Sequence, residues 1–300
     1  MSKPKVIAIV GPTASGKTSL SIYLAQKVGG EVVSADSRQV YRGLDIGTGK
    51  ITKKEMAGVP HHLLDVASPK KDFSADDFVK QGSHALEKIA AKNHIPLVVG
   101  GTGYYADALL GRITLPNVPP NPKLRAELEK KTPPQLFALL KKIDPSRAKN
   151  IEPHHKRRLV RAIEIAKALG KNPPKKAREP YEVLWLGIAP APEVLRKNIH
   201  VRLLARMKLG MIAEAKRLHK QGLSYKRMDA LGLEYRSLAA YLQKKISEEE
   251  MIEGLERAIQ KYAKRQMTWF KRNPNIRWIK NKTEALRLTK EFLGKNLSGR

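Results

Sequence analysis

Gly11-Pro-Thr-Ala-Ser-Gly-Lys17-Thr18 fits the pattern G-x-x-x-x-G-K-[ST], and its flanks give the pattern a meaning. An apolar run, Val-Ile-Ala-Ile-Val at 6–10, precedes it. A segment over 18–28 follows, with Leu20, Leu24 and Val28 at helical spacing and Gly29-Gly30 as a stop. A glycine-rich turn between a strand and a helix N-terminus gathers backbone N–H groups into one concavity. Gly11, Pro12, Thr13, Ala14, Ser15, Gly16, Lys17 and Thr18 are therefore expected to hold a diphosphate. Lys17 adds charge, and the Thr18 hydroxyl suits Mg²⁺ as the implied cofactor. Outward from this loop, short apolar runs at 6–10, 31–35 and 96–100 alternate with helical patterns at 18–28 and 74–93. The alternation predicts an α/β fold, a P-loop NTPase-like parallel sheet core.

With 300 residues, 41% of them hydrophobic, the chain can bury one large core or two smaller ones. No apolar run approaches the roughly 18 residues of a membrane span, and the N-terminal apolar stretch runs straight into the loop rather than into a cleavage site. A cytoplasmic location and no membrane partner are expected. The absence of cysteine removes disulfides, thiolate catalysis and cysteine zinc sites. Charge says more: 58 Lys and Arg against 28 Asp and Glu give a net +30. Residues 1–110 carry +4 of this and residues 111–300 carry +26. A polyanion is the natural partner of such a surface, because each neutralised phosphate releases counterions; a lysine-rich surface kept for solubility is the plainer reading.

After Gly111 the texture changes to proline-punctuated, basic helical segments, bounded by proline-rich stretches at 115–122 and 172–178 that read as hinges. The expected organisation is a catalytic core over 1–115 and 180–300 with a small helical domain inserted over 116–179. Residues 181–189 return to a buried-strand pattern, and 193–222 and 247–272 read as long helices. Ser74-Ala-Asp-Asp77 and Ser247-Glu-Glu-Glu250 are capping boxes. In the last helix Met251, Leu255, Ile259, Tyr262, Gln266 and Trp269 trace an apolar seam, and Arg257, Lys261, Lys264 and Lys271 trace a ridge. That ridge can follow a nucleic-acid backbone or simply face solvent. The pairs His61-His62 and His154-His155 invite a metal reading, but adjacent side chains rarely converge on one ion and no carboxylate set accompanies them.

A nucleotide-handling site needs a carboxylate, and the strand over 96–100 ends in glycines. The strand over 31–35 does end in an acid, Asp36, at the carboxyl edge where sheet ligands bind. Asp36 is the candidate general base; a helix cap or an outer contact to a metal are its alternative roles.

The stretches 11–18, Ser34-Ala-Asp-Ser-Arg-Gln-Val-Tyr-Arg-Gly-Leu-Asp-Ile-Gly-Thr48, Val59-Pro-His-His-Leu-Leu-Asp65 and Val99-Gly-Gly-Thr-Gly-Tyr104 resemble successive motifs of the tRNA dimethylallyltransferases. The similarity continues through Arg125, Ile143-Asp-Pro145, Arg158–Glu164, Arg202 with Gly210, and Ala263-Lys-Arg-Gln-Met-Thr-Trp269. This resemblance implies transfer of a dimethylallyl group from its diphosphate to N6 of the adenosine 3′-adjacent to the anticodon (position 37) of tRNAs reading codons that begin with U, with no ATP consumed. It implies catalytic roles for Asp36, Lys17, Thr18 and Arg202, Asp36 taking the amine proton and the others stabilising the leaving diphosphate. It also implies tRNA contacts from Asp36, Ser37, Arg38, Gln39, Thr102, Arg125, Arg157, Arg158, Leu159, Val160 and Arg161. The partners are then tRNA, through its anticodon stem-loop, and dimethylallyl diphosphate, with the enzyme a monomer. The chain departs from the usual motifs at Ile151-Glu-Pro-His-His155, at Asn198 and at Leu231-Gly-Leu-Glu-Tyr-Arg236. Rivals are a P-loop small-molecule kinase, a relative that prenylates AMP, and a non-catalytic RNA-binding protein.

Overall fold

The computed structural model describes residues 3–171 and 179–294. Two compact units form: Met1–Gly111 with Glu179–Arg300, and Arg112–Arg178. The proline-rich stretch expected as a hinge at 172–178 lies outside the described residues.

The larger unit is built on six parallel strands, β1 (Lys5–Val10), β2 (Gly30–Ser34), β3 (His61–His62), β4 (Ile95–Gly100), β5 (Glu182–Gly187) and β6 (Ile276–Trp278), in the order β3-β2-β4-β1-β5-β6. Near-continuous apolar strands are what a sheet covered on both faces requires. In β1, Val6, Ala8 and Val10 join a core with α3 (Ala75–Ala91) and α4 (Gly103–Leu109). Ile7 and Ile9 point the other way, against α1 (Lys17–Val28) and α14 (Lys282–Leu293). A third core gathers α9 (Pro192–Lys208), α10 (Met211–Lys220), α11 (Tyr225–Leu231), α12 (Leu233–Leu242) and α13 (Glu248–Phe270) around Val40, Tyr41 and Leu44. The short α2 (Lys53–Met56) follows the capping box of Thr52 and Glu55.

The basic helical unit packs α5 (Pro122–Leu128), α6 (Pro133–Ile143), α7 (Pro145–Ala148) and α8 (Lys156–Leu169) around Leu128, Leu136, Leu140, Leu159 and Ile163.

One expected element differs. The single helix read over 193–222 is two, because Gly210 adopts φ 95° and turns the chain between α9 and α10. Both capping boxes form as read, at Ser74/Asp77 and Ser247/Glu250. In α13 the buried line runs through Met251, Leu255, Ile259, Ala263, Gln266 and Phe270, so Tyr262 and Trp269 flank the seam.

At the start of β2, far along the strand from its carboxyl end, Glu31 is 1% exposed. Its carboxylate accepts hydrogen bonds from His62 Nε2 (2.6 Å), His94 Nδ1 (2.7 Å) and Lys92 Nζ (3.2 Å). His61 turns away to the Val59 carbonyl, so the histidine pair serves strand packing rather than one ion. Burial opposes ionisation of Glu31, yet the three donors overcome it and hold its pKa down to about 2. A depressed carboxyl adds stability above its unfolded pKa and loses it as pH falls through the folded one. The stability gap between the wild type and Glu31→Gln should therefore be full above about pH 4.5 and close as pH approaches about 2. Denaturant unfolding of both proteins across that window is the measurement, and a gap independent of pH would contradict the assignment.

Candidate active site

β1 pairs with β4 on one side and β5 on the other, and Val10 stands level with both Gly100 and Gly187. The segments leaving the carboxyl ends of β1, β2 and β4 therefore open onto one edge, as expected for ligand sites in open parallel sheets.

The first of these is the glycine-rich turn. Ala14 at φ 60° and Gly16 at φ 89° bend it through left-handed conformations. Gly11, at φ 153°, could carry no side chain, since a Cβ there would lie 2.5 Å from the Ile188 carbonyl oxygen. The turn delivers α1 with Gly16 as N-cap, no side-chain cap and no acid in the first turn. Its leading N–H groups are thus left for an anion. The Ser15 hydroxyl is buried without a hydrogen-bond partner among the described residues, a second feature suited to ligand oxygens. Not every loop amide is free, however: the Thr13 N–H donates to Gln266 Oε1 (2.9 Å).

Lys17 Nζ donates to the Pro12 carbonyl (2.6 Å). Crowding by protein atoms lowers its pKa to about 7, the Arg202 guanidinium adds to the fall and the Asp36 carboxylate opposes it. Thr18 is exposed at the start of α1.

Asp36 lies two residues beyond the end of β2. Its Oδ1 accepts the backbone N–H of Arg38 (2.8 Å) and of Gln39 (3.3 Å), so one oxygen shapes a turn; no helix starts there for it to cap. Oδ2 accepts no bond from the described residues. The carboxylate acts electrostatically on Lys17, Arg202 and Tyr262. Ser37 donates its N–H to Thr102 Oγ1 (3.1 Å), joining the β2 and β4 turns. Gln39 Nε2 (3.4 Å) and Arg202 Nη2 (2.9 Å) both donate to the Gly49 carbonyl. Gly49 sits at φ 58°, where a Cβ would lie 2.6 Å from that guanidinium. Asn198, at a position that departs from the usual motif, donates to the Ala14 carbonyl (3.3 Å).

Three residues given no role from sequence support this edge. Glu214 is 4% exposed, and its carboxylate accepts the N–H groups of Asp45, Ile46 and Gly47 and the Tyr235 hydroxyl, at 2.7–3.0 Å. It holds the loop that carries Gly49. Tyr262 lies beside Thr102; burial and the nearby Asp36 charge raise its pKa to about 12, so it stays a neutral hydrogen-bonding group. Gln266 bridges Thr13 and Gly101, donating Nε2 to the Gly101 carbonyl (2.8 Å). A readable signal existed for two of them: a polar side chain on the apolar stripe of an amphipathic helix must find buried partners.

In the helical unit, the residues expected to touch tRNA divide. Leu159 and Val160 are 0% and 4% exposed and belong to the unit's core, so their side chains cannot face a ligand. Arg125 and Arg161, both partly exposed, pair with the buried Glu164: Arg125 donates Nε (3.0 Å) and Nη2 (2.9 Å), and Arg161 Nη1 donates to Oε2. Asn121 N–H (2.6 Å) completes the set, and although burial opposes it, the Glu164 pKa falls below the usual carboxyl value. Arg157 and Arg158 are exposed. Arg125→Ala should cost about 2 kcal/mol of stability, the range for hydrogen bonds to a charged group, whereas Arg157→Ala should stay within about 0.5 kcal/mol. Equal midpoints in denaturant for the two variants would refute this division.

Among the described residues no cluster of three or more His, Asp or Glu side chains could hold a metal, and no helix is long and apolar enough to cross a membrane.

A family model described as IPP transferase matches residues 39–273. The tRNA dimethylallyltransferase of Halalkalibacterium halodurans is 40% identical over 288 residues, covering 92% of this chain and 91% of that protein. That of Thermomicrobium roseum is 41% identical over 93% of this chain and 87% of its own. The crystal structure of a full-length tRNA isopentenylpyrophosphate transferase from Bacillus halodurans superposes with a TM-score of 0.74 at 37% identity, over 98% of this chain and 97% of that one. A eukaryotic dimethylallyltransferase acting on tRNA gives a TM-score of 0.86 at 27% identity, over 98% of this chain and 80% of that one.

Proposed function

The chain belongs to the IPP transferase family, and on that premise we propose that it is a tRNA dimethylallyltransferase. It transfers a dimethylallyl group from dimethylallyl diphosphate to N6 of the adenosine 3′-adjacent to the anticodon (position 37) of tRNAs reading codons that begin with U. The observation that carries this reading is the Asp36 carboxylate, within electrostatic range of both Lys17 and Arg202 at the edge where the phosphate loop lies. A P-loop alone would suit a kinase; a carboxylate near the loop, with one oxygen not taken by a hydrogen bond among the described residues, suits an acceptor that must lose a proton.

The exocyclic amine of adenine is a weak nucleophile, its lone pair being delocalised into the ring. As the new C–N bond forms at the allylic carbon, Asp36 Oδ2 takes an N6 proton while Oδ1 keeps the turn in place. The C–O bond breaks and its electron pair leaves with diphosphate. Negative charge then concentrates on oxygens that the first amides of α1, the Ser15 hydroxyl, Lys17 and Arg202 would stabilise. Diphosphate beside Lys17 would favour its ammonium form, against the burial and the Arg202 charge that lower its pKa.

Mg²⁺ fits this site as a substrate-borne ion, since magnesium commonly takes one or two protein oxygens plus phosphate oxygens and water. The Thr18 hydroxyl would hold it, and it would offset diphosphate charge. Ser37, Arg38, Gln39 and Thr102 would line the acceptor nucleotide. The exposed Arg157 and Arg158 would meet RNA phosphates, in a unit carrying 18 Lys and Arg against 5 Asp and Glu over 112–178. A base stacked in an anticodon loop must be turned out to meet Asp36. The enzyme would act in the cytoplasm as a monomer.

Incubation of bulk tRNA with the protein, Mg²⁺ and dimethylallyl diphosphate should yield N6-dimethylallyladenosine on nucleoside analysis; product only with AMP, or phosphate transfer only with ATP, would reject the assignment. Asp36→Asn keeps the turn acceptor and removes the base, so kcat should fall by about 10²–10⁴ with tRNA affinity within about threefold. Comparable loss of both would make the residue structural. Arg157→Ala with Arg158→Ala should flatten the salt dependence of tRNA affinity by about one unit of slope per lost contact, and an unchanged slope would remove them from the interface.

A further inference from the structure

Gln266 is the one amide on the buried line of α13, 6% exposed, and its two ends are used in opposite directions. Oε1 accepts the Thr13 N–H (2.9 Å) and Nε2 donates to the Gly101 carbonyl (2.8 Å). Thr13 belongs to the phosphate loop after β1, and Gly101 to the turn after β4. The register of these two neighbouring strands ends at Val10 and Gly100. Beyond it, the Gln266 carboxamide is the link between the two turns among the described residues. The path continues from Thr102 Oγ1 to the Ser37 N–H (3.1 Å), and Ser37 adjoins Asp36, whose Oδ1 holds Arg38 and Gln39.

We propose that Gln266 is a positioning residue that couples the two substrate-holding turns, so that a diphosphate seated in the phosphate loop also orders the segment around Asp36 and Thr102. The proposal rests on the function above only for the identity of the substrates.

The chemistry of the side chain explains why it is glutamine. A carboxamide offers a donor and an acceptor on one rigid plane, which is what an N–H on one side and a carbonyl on the other demand. An ionised glutamate could accept from Thr13 but could not donate to Gly101, and an apolar residue would leave both backbone groups buried and unpaired. Gly101 is shaped to match: a Cβ there would lie 2.2 Å from Gln266 Nε2. Transfer needs the leaving group and the base held at a fixed separation, where a displacement of about 1 Å can cost about 10²-fold in rate.

Hydrogen–deuterium exchange of the full chain with and without inorganic diphosphate, read by mass spectrometry, tests the coupling without requiring prenyl transfer. In the wild type, diphosphate should slow exchange in peptides spanning 11–18 and also in those spanning 36–39 and 100–103. In Gln266→Glu, which keeps the acceptor for Thr13, protection should stay in 11–18, and kcat should fall at least about tenfold while KM for dimethylallyl diphosphate moves less than about threefold. Gly101→Ala, whose methyl evicts the carboxamide, should behave alike and carries the test if Gln266→Glu fails to fold. Protection confined to 11–18 in the wild type, or still spreading in both variants, overturns the proposal. Spreading protection in a protein that does not prenylate tRNA would count against the function alone.

Discussion

The position of β1 between β4 and β5 is the constraint on which the site depends. Parallel strands place all their carboxyl ends on one edge, and the level register of Val10 with Gly100 and Gly187 brings the phosphate loop and the β4 turn there together. Once β2 pairs with β4 on its other side, Ala35 and Asp36 reach the same edge. Gly100 has no side chain because the Ala35 carbonyl approaches to 2.1 Å of where a Cβ would be. The backbone spacing of the sheet thus sets how near a base and a leaving group can stand.

Buried polar groups then convert nearness into geometry. Gln266 and Glu214 each satisfy backbone groups that no sheet or helix ladder could reach. A charge or amide enclosed by protein stays only if its partners are complete, which makes such groups poor tolerators of displacement. The phosphate loop differs: α1 begins without a side-chain cap, and the Ser15 hydroxyl is buried without a hydrogen-bond partner among the described residues, which suits the loop to ligand oxygens. In the helical unit Glu164 pairs with the partly exposed Arg125 and Arg161, while Arg157 and Arg158 lie on the surface.

Sequence alone determined the alternating α/β pattern, the phosphate loop, the capping boxes and the acid ending β2. Each rests on interactions within a few residues: helical spacing, a serine side chain reaching N–H groups three residues on, a turn needing glycine. Charge totals likewise survive folding unchanged, so the basic bias of 112–178 was legible. Tertiary structure decided the rest, because it concerns partners distant in the chain. That Arg125 pairs with a buried glutamate depends on Glu164 standing 39 residues away, and α8 alone does not state that Leu159 and Val160 face a core. Gln266 meets Thr13 across 253 residues, so its role exists only once α13 has crossed the sheet edge.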